Sequence, residues 1–341
     1  MKDSSFAIAL GELRTARQTL SARGRSLKLR CFFLEKDHQA YAQLKEFADQ
    51  ASDAEIETRN CGLEGAIDDI VKFVRAGGRG SFPFVFIDPT GWSGFAMNAI
   101  APLLRLNPSE VLINFMTGHI RRFIDSPNEQ TQESFESLFG TGDYKAKLVG
   151  LNGQDREDAA VEFYSENVRK TGDFQYACSA VVLHPEIDRT HFHLIYATRD
   201  VKGVEVFKEV EKKAMEVMEQ ARADAQQRKR VKKTGARELF GSDVRYDSTR
   251  YEQLRDRYLG LAHEKVHQTV QAKGRVLYDD AWVVALSFPL VWESDLKSWI
   301  TAWEKSGQLR VEGKQPKQRV PKRQEKNFLV WIAPPNLKQA Q

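Results

Sequence analysis

Two spacings of apolar residues alternate along the first 115 positions of the chain. In some segments apolar residues recur every three or four positions, which is typical of helices, and in others they form short continuous runs, which are typical of buried strands. This pattern predicts helices over 6–20, 37–51, 64–76 and 93–106, and strands over 27–35, 54–59, 82–88 and 111–115. Because strands and helices alternate with short connections, we expect a parallel sheet with helices on both faces.

The pattern changes in the middle of the chain. Residues 118–170 are predicted to form a mostly helical, polar insertion, and two strands follow over 175–183 and 191–197. The segment between these strands is too short to hold a crossover helix, so the pair should be antiparallel. A parallel sheet that finishes with an antiparallel strand is the Rossmann-like architecture used by class I methyltransferases.

The last third of the chain has the pattern of a separate module. A long charged helix over 204–228 runs into the basic stretch 228–233, which is either a second contact patch or a linker. The pattern then predicts three helices over 250–272, 279–287 and 293–307, and two strands over 309–312 and 328–332. Three helices followed by a two-stranded wing describe a winged helix-turn-helix. We therefore expect a methyltransferase-like α/β domain over 1–225, a basic linker over 226–249 and a winged-helix domain over 250–341.

Composition narrows the class of protein. The chain has 341 residues, 41% hydrophobic and 29% charged, and a net charge of +4, which is typical of a soluble globular protein. No apolar stretch approaches the roughly 18 residues that a membrane span needs, so no membrane partner is expected. The three cysteines lie far apart in the sequence, as expected of free thiols in a reducing compartment, and this favours a cytoplasmic location.

The apolar run 82–88 ends on an acid that is followed by a proline and a tryptophan. We expect this strand to be buried on both faces, with Asp88, Pro89 and Trp92 at the rim where ligands bind in open α/β sheets. A carboxylate, a rigid carbonyl and an aromatic plate suit a planar amino-bearing group such as a nucleobase. The alternative is that Asp88 caps the next helix while Trp92 packs beside it. Asn114 ends the neighbouring strand and either supports the same pocket or bonds the local backbone.

A second set of candidates follows the first two strands. In Rossmann-like folds an acid at the end of a strand accepts the hydroxyls of a ribose, and Glu35 occupies such a position. The alternative is that Glu35 caps the helix that starts at Asp37. Cys61 and Gly62 follow the next strand, where the adenine edge of a cofactor usually lies.

Several stretches resemble the three-Cys-motif partner (TcmP) family. These are Phe-Ile-Asp-Pro-Thr-Gly-Trp-Ser-Gly at 86–94, Glu-Val-Leu-Ile-Asn-Phe-Met at 110–116, Leu-Phe-Gly at 138–140, and Ile-Tyr-Ala-Thr at 195–198 with Lys-Gly at 202–203. The resemblance covers most of the chain. It implies a class I methyltransferase fold, S-adenosylmethionine as cofactor, and a neighbouring partner protein that carries three cysteines.

The resemblance also implies roles for the strand end at Asp88. This element is similar to the Asp-Pro-Pro-Tyr motif of amino-methylating DNA enzymes, in which Asp88 and Pro89 would orient an amino group and Trp92 would stack on an extruded base. The inserted Gly91 places the aromatic residue one position further along than in that motif.

One family element has no counterpart in the sequence. Family members begin with a strand that ends in an Asp-x-Phe-Ala-Gly-x-Gly type of loop, which holds the methionine part of the cofactor. The present sequence opens at the helix that should follow this loop. We expect either a start codon further upstream or a shortened variant of the family.

A basic loop lies between the last two predicted strands. It carries five candidate nucleic-acid contacts, which are Lys314, Lys317, Arg319, Lys322 and Arg323. In a winged helix this loop follows the phosphate backbone. Trp299 and Trp303 in the preceding helix are expected to pack in the core. The alternative for the loop is a solvated surface on a dimerisation or docking module.

These observations leave two hypotheses about function. The first is a methyltransferase that uses S-adenosylmethionine and acts on nucleic acid, with DNA as the expected substrate. The second is a non-catalytic protein that binds nucleic acid or docks a partner and retains a degenerate methyltransferase shell.

Overall fold

The chain is a mixed α/β protein in the computed structural model, which describes residues 4–234 and 249–332. Its helices are α1 (Ser5–Ser21), α2 (His38–Gln50), α3 (Ile67–Ala76), α4 (Met97–Leu104), α5 (Thr117–Phe123), α6 (Glu129–Phe139), α7 (Tyr144–Leu148), α8 (Gly153–Thr171), α9 (Val201–Thr234), α10 (Thr249–Lys273), α11 (Tyr278–Leu286) and α12 (Glu293–Lys305). Its strands are β1 (Arg30–Leu34), β2 (Glu55–Arg59), β3 (Phe84–Ile87), β4 (Glu110–Phe115), β5 (Tyr176–Leu183), β6 (Thr190–Thr198), β7 (Arg275–Leu277), β8 (Leu309–Glu312) and β9 (Phe328–Trp331).

The strands form three sheets. β1 and β2 make a parallel pair, and β3, β4, β6 and β5, in that order, make a four-stranded sheet. In this central sheet β3 and β4 are parallel, whereas β6 is antiparallel to both β4 and β5. The predicted antiparallel pair is therefore confirmed, and the predicted helical insertion is present as α5 to α8.

Local sequence signals explain where the helices begin and end. The side chain of Asp37 accepts a hydrogen bond from the Ala40 amide at the start of α2, and Asn128 does the same for Thr131 at the start of α6. α6 ends at Gly140, whose φ of 77° favours glycine. Capping residues therefore flank the apolar stripes of both helices, and α2 has its predicted position.

One of two large cores lies between one face of the central sheet and the helices α3 to α8. Its aromatic centre is a stack of Phe115 from β4 on Tyr164 from α8, with ring centroids 4.4 Å apart. The pair β1 and β2 has a much smaller core, whose buried cluster is Leu10, Leu29 and Cys31. The two sheets therefore differ strongly in how much apolar surface they bury.

The prediction that strand 82–88 is buried on both faces is wrong. Phe82, Phe84 and Phe86 are 58%, 55% and 46% exposed, while Ile87 is buried. The reason is that β3 is the edge strand of the central sheet, and one of its faces is open. Among the described residues, β1 pairs only with β2 and β3 pairs only with β4.

The C-terminal module (residues 249–332) combines three helices with an antiparallel sheet in the order β7, β9, β8. The predicted elements are present, and the three-residue strand β7 is an addition to them. Trp303 is 5% exposed, which confirms that it packs in the core. This core also takes in Cys178 of β5 and Tyr196 of β6 from the central sheet.

α9 joins the central sheet to the C-terminal module. The helix is longer than predicted and includes the basic stretch 228–233, while residues 235–248 of the predicted linker lie outside the described residues. Lys208 and Glu211 form an ion pair on its inner side, with 4% and 0% of their side chains exposed. Lys208 Nζ donates to the Phe288 carbonyl at 2.8 Å, and Glu211 accepts from the Leu290 amide at 2.9 Å.

Candidate ligand site and basic loop

Asp88 and Asn114 meet at the carboxyl ends of β3 and β4. The Asn114 Nδ2 atom donates a hydrogen bond to Asp88 Oδ1 at 2.7 Å. Asn114 is 8% exposed, whereas Asp88 is open to solvent. The two residues are therefore brought together, and the buried amide orients a carboxylate that remains accessible.

Trp92 packs against the helical insertion. Its ring stacks on Phe135 of α6 at 5.6 Å and 19°, and it also contacts Phe123 and His119 of α5. One face of the indole is therefore covered by the protein. Pro89 is half-buried in the loop between Asp88 and Trp92.

Three buried polar atoms at this edge have no hydrogen-bond partner among the described residues. They are Trp92 Nε1, Asn114 Oδ1 and Thr117 Oγ1. Buried polar groups are nearly always hydrogen-bonded, so a cluster of exceptions calls for a specific cause. A small polar ligand or an ordered water that reaches this edge would satisfy them.

The ends of β1 and β2 carry the second set of predicted residues. Glu35 Oε1 accepts from the Asp37 amide at 2.8 Å, which agrees with the capping alternative. Asn60 Nδ2 donates to the carbonyls of Glu35 and Lys36 at 2.9 and 3.2 Å, so it ties the two strand ends together. Cys61, half-buried, and Gly62, exposed, follow directly.

Glu64 links the two sets of strand ends, and the sequence analysis missed it. Its Oε1 atom accepts a hydrogen bond from the Ala96 amide, at 2.8 Å, just before α4. The only sequence signal was an acid close behind the carboxyl end of a strand. His119 was also missed, although it lies five positions after Asn114 on the helix that begins at this edge.

Three of the five predicted cations of the basic loop have ion-pair partners: Lys322 pairs with Glu325 inside the loop at 3.7 Å, and the other two pair with residues outside it. Lys314 Nζ contacts Glu304 Oε1 at 2.8 Å. Arg323 has only 9% of its side chain exposed, lies over the Trp282 ring at 4.2 Å, and pairs with Asp279 and Glu205. These two residues attach the loop to the rest of the chain.

Lys317, Arg319 and Lys322 are exposed. They project from a loop that is held by a fully buried amide, Asn327. Its Nδ2 donates to the Gly313 carbonyl at 2.7 Å, and its Oδ1 accepts from the Lys322 amide at 2.8 Å and from Gln318 at 2.7 Å. The exposed charges are therefore displayed on a defined backbone.

Comparisons with known proteins assign no family to this chain. No protein-family model matches it, and no curated protein gives a significant match. The relation to the three-Cys-motif partner family therefore stays a prediction. Among residues 4–234 and 249–332, no helix is long and apolar enough to cross a bilayer, and no three histidine, cysteine or acidic side chains are grouped so that they could hold a metal ion.

Proposed function

We propose that the chain is a class I methyltransferase-like protein that binds S-adenosylmethionine at the carboxyl ends of its parallel strands and acts on an amino group of nucleic acid. The observation that carries the proposal is the placement of Glu35, Asp88 and Asn114 at the carboxyl ends of the parallel strands β1, β3 and β4, with an antiparallel β6 beside β4. In open α/β sheets this edge is the usual place for a nucleotide-like ligand.

Helix placement supports a doubly wound sheet. Phe6 of α1 contacts both Phe33 of β1 and Phe47 of α2, at 5.8 and 6.1 Å, so α1 and α2 share one face of the first sheet. Phe73 of α3 contacts Phe32 at 5.4 Å from the other face. Crossover connections between parallel strands are right-handed. The helices therefore lie on one face of the sheet where strands are added in one direction, and on the other face where strands are added in the opposite direction. The proposal requires one further parallel strand between the free edges of β1 and β3.

The donor set fits the adenosine part of the cofactor. Glu35 keeps one carboxylate oxygen free of protein contacts among the described residues, and a carboxylate pairs well with two vicinal hydroxyls. Cys61 and Gly62 lie at the next strand end, where an adenine edge would meet the backbone. When bound, S-adenosylmethionine supplies an electrophilic methyl group.

Asp88 and Asn114 would form the binding site for the group that accepts the methyl. The free oxygen of the exposed Asp88 can accept one proton of an exocyclic amine, and the buried Asn114 amide holds Asp88 in position. The Pro89 carbonyl is the further acceptor in the predicted motif. The Trp92 ring already contacts Phe135, Phe123 and His119, and a base stacked on the part of the ring that they leave open would contribute roughly 1–3 kcal/mol.

Calorimetry with S-adenosylmethionine tests the cofactor half of this proposal. We expect a version of the chain with the further strand and its Asp-x-Phe-Ala-Gly-x-Gly type of loop added to bind, and Glu35→Gln in that version to weaken binding about 10- to 100-fold, because the amide can still accept from Asp37 but loses the charge-assisted bonds to the ribose. Glu209→Gln, an exposed change on α9, should leave binding by that version unchanged. No binding by the version with the added strand, or equal binding by its Glu35→Gln variant, would contradict this assignment.

The second candidate function is a non-catalytic protein that binds nucleic acid through its basic loop, which in this proposal is the wing of a winged helix. The exposed Lys317, Arg319 and Lys322 favour it, because they need no cofactor to meet phosphates. A chain that binds duplex DNA but not S-adenosylmethionine, with DNA affinity unchanged in Asp88→Ala, would support this candidate over the first.

A further inference from the structure

A large cavity lies where the C-terminal module meets the central sheet, and none of the candidate residues at the strand ends described above lines it. It measures about 1010 Å³. α8 and α10 line opposite sides, joined by ion pairs of Arg257 with Asp158 at 2.6 Å and of Lys265 with Glu162 at 3.8 Å. Pockets for single small ligands span roughly 300–1,000 Å³, so this cavity has room for a chain of several residues.

The outer edge of β5 faces this cavity. β5 is the edge strand of the central sheet, and the Ser179 amide donates to the Ser287 carbonyl, outside the sheet, at 3.3 Å. Backbone groups alternate in direction along a strand, so the N–H and C=O of Ala177 also point outward. Neither group has a hydrogen-bond partner among the described residues. The edge is therefore paired at Ser179 and open at Ala177.

Polar groups converge on the inner end of the cavity. Tyr258 Oη donates to Asp158 Oδ1 at 2.9 Å and lies 3.4 Å from His193 Nε2. His193 is 1% exposed, and its Nδ1 atom has no partner among the described residues. A largely apolar cavity with a few convergent polar groups is the usual form of a binding site.

The opposite end of the cavity is basic. Arg169 and Lys170 lie in the last turn of α8, just before the start of β5, and Lys147 of α7 also lines the cavity. Glu166 is the nearby acid and pairs with both Arg169 and Lys170. The cavity lining as a whole holds five acids and five cations, and this end, with three cations beside one carboxylate, is the part that favours an acidic ligand.

We propose that this cavity binds an extended, acidic peptide segment of another protein, which adds a strand to the outer edge of β5. The free N–H and C=O of Ala177 would supply the main-chain pairing, and the basic end would select an acidic side chain. This site does not depend on the function proposed above.

A peptide selection tests the proposal directly. A phage-displayed heptapeptide library is panned on the whole chain, and enriched peptides are synthesised with a fluorophore and measured by anisotropy. We expect Ala177→Pro to weaken binding at least tenfold, because proline removes the outward N–H that a bound strand needs. Proline is tolerated on an edge strand when its N–H faces away from the sheet, so the fold should be retained. Ala177→Ser keeps the N–H and should bind as the wild type does.

Two further measurements keep the test decisive if Ala177→Pro does not fold. Amide exchange at Ala177 in the wild-type chain should slow when peptide is bound, and Arg169→Glu with Lys170→Glu should weaken acidic peptides selectively. Failure to enrich any peptide, unchanged exchange at Ala177, or displacement of the peptide by a 20-nucleotide DNA strand would each overturn the proposal.

Discussion

The N-terminal unit (residues 4–62) and the central sheet are held together by different forces. The N-terminal unit has a core cluster of three buried residues and relies on surface ion pairs, in which Arg14 and Arg17 meet Asp53, and Lys28 and Arg30 meet Glu55. The central sheet and the C-terminal module bury extended apolar clusters around aromatic stacks. Because exposed ion pairs contribute little and apolar burial contributes much, the N-terminal unit should open locally before the rest of the chain.

This difference places the candidate site across a boundary in local stability. Glu35, Cys61 and Gly62 belong to the weakly packed unit, while Asp88 and Asn114 belong to the edge of the strongly packed sheet. A ligand that contacted both sets would therefore stabilise the N-terminal unit more than the central sheet.

The largest expected effect comes from the buried ion pair on α9. Burial raises the pKa of Glu211 and the neighbouring Lys208 lowers it, so each charge depends on the other. Glu211→Ala would leave Lys208 and the Leu290 amide buried without their partner, and we expect the free energy of unfolding to fall by about 3–5 kcal/mol in urea titrations. Glu209→Ala, two positions earlier and exposed, should change it by less than about 0.5 kcal/mol. Equal losses in the two variants would refute this role.

Acid should weaken the strongly packed region through His193. Burial lowers the pKa of His193 to about 4, while an unfolded histidine titrates near 6.5. On acidification the unfolded state therefore binds a proton at a higher pH than the folded state does. The contribution of neutral His193 to the free energy of unfolding is fully present above pH 6.5 and is lost as the pH falls toward 4. We expect a loss of about 2 kcal/mol between pH 7 and pH 5, measured by urea unfolding. His193→Gln should flatten this part of the profile, and an unchanged slope would contradict the assignment.

Two arginines of the basic loop should separate stability from nucleic-acid binding. Arg323→Ala removes a cation over Trp282 and two ion pairs, so we expect a loss of about 2 kcal/mol in unfolding free energy. Arg319→Ala should change stability by less than about 0.5 kcal/mol but lower the salt slope of duplex DNA binding, measured by anisotropy, by about 1. A loss of stability in Arg319→Ala together with a lower salt slope in Arg323→Ala would contradict this division between the two arginines.

The smallest effect should appear in the N-terminal unit. Hydrogen bonds from Arg30 and Lys28 lower the pKa of Glu55 to about 2, and those from Arg14 and Arg17 lower the pKa of Asp53. The stability that the two ionised carboxylates contribute to the N-terminal unit is present above the unfolded pKa near 4 and is lost as the pH falls toward 2. Amide protection in β1 and β2, corrected for intrinsic exchange, should fall between pH 4 and pH 2, below the range in which His193 lowers protection in β6.

A variant measured at neutral pH also tests whether the surface ion pairs stabilise the N-terminal unit. Asp53→Asn should lower protection in β1 and β2 at pH 7 and leave β4 unchanged, whereas Asp49→Asn, exposed on α2, should have no effect. A global loss of protection in Asp53→Asn would show that the N-terminal unit is coupled to the central sheet more tightly than its core suggests.

The sequence predicted most elements because their signals are local. Apolar spacing and caps such as Asp37 and Asn128 determine the helices, and the short segment after Leu183 required an antiparallel pair. β7 was missed because three residues carry too little pattern. The burial of β3 was misjudged because an apolar run does not show whether a strand is central or at an edge.

The candidate site was predictable only where topology brings residues together. Asp88 and Asn114 end neighbouring parallel strands, so their contact followed from strand order. The burial of Arg323 depends on Glu205, which is 118 positions away in the sequence, and local patterns carry no information about such a partner. The link from Glu64 to Ala96 was missed for the same reason.

The amide of Asn327 has a consequence for the loop that surrounds it. Because this one side chain fixes the backbone at Gly313 and Lys322 and also holds Gln318, the loop is already ordered before anything touches it. A flexible loop loses conformational entropy when it grips a ligand, and that loss weakens binding. Here most of the ordering has taken place during folding, so a ligand that meets Lys317 and Arg319 would meet a preorganised surface.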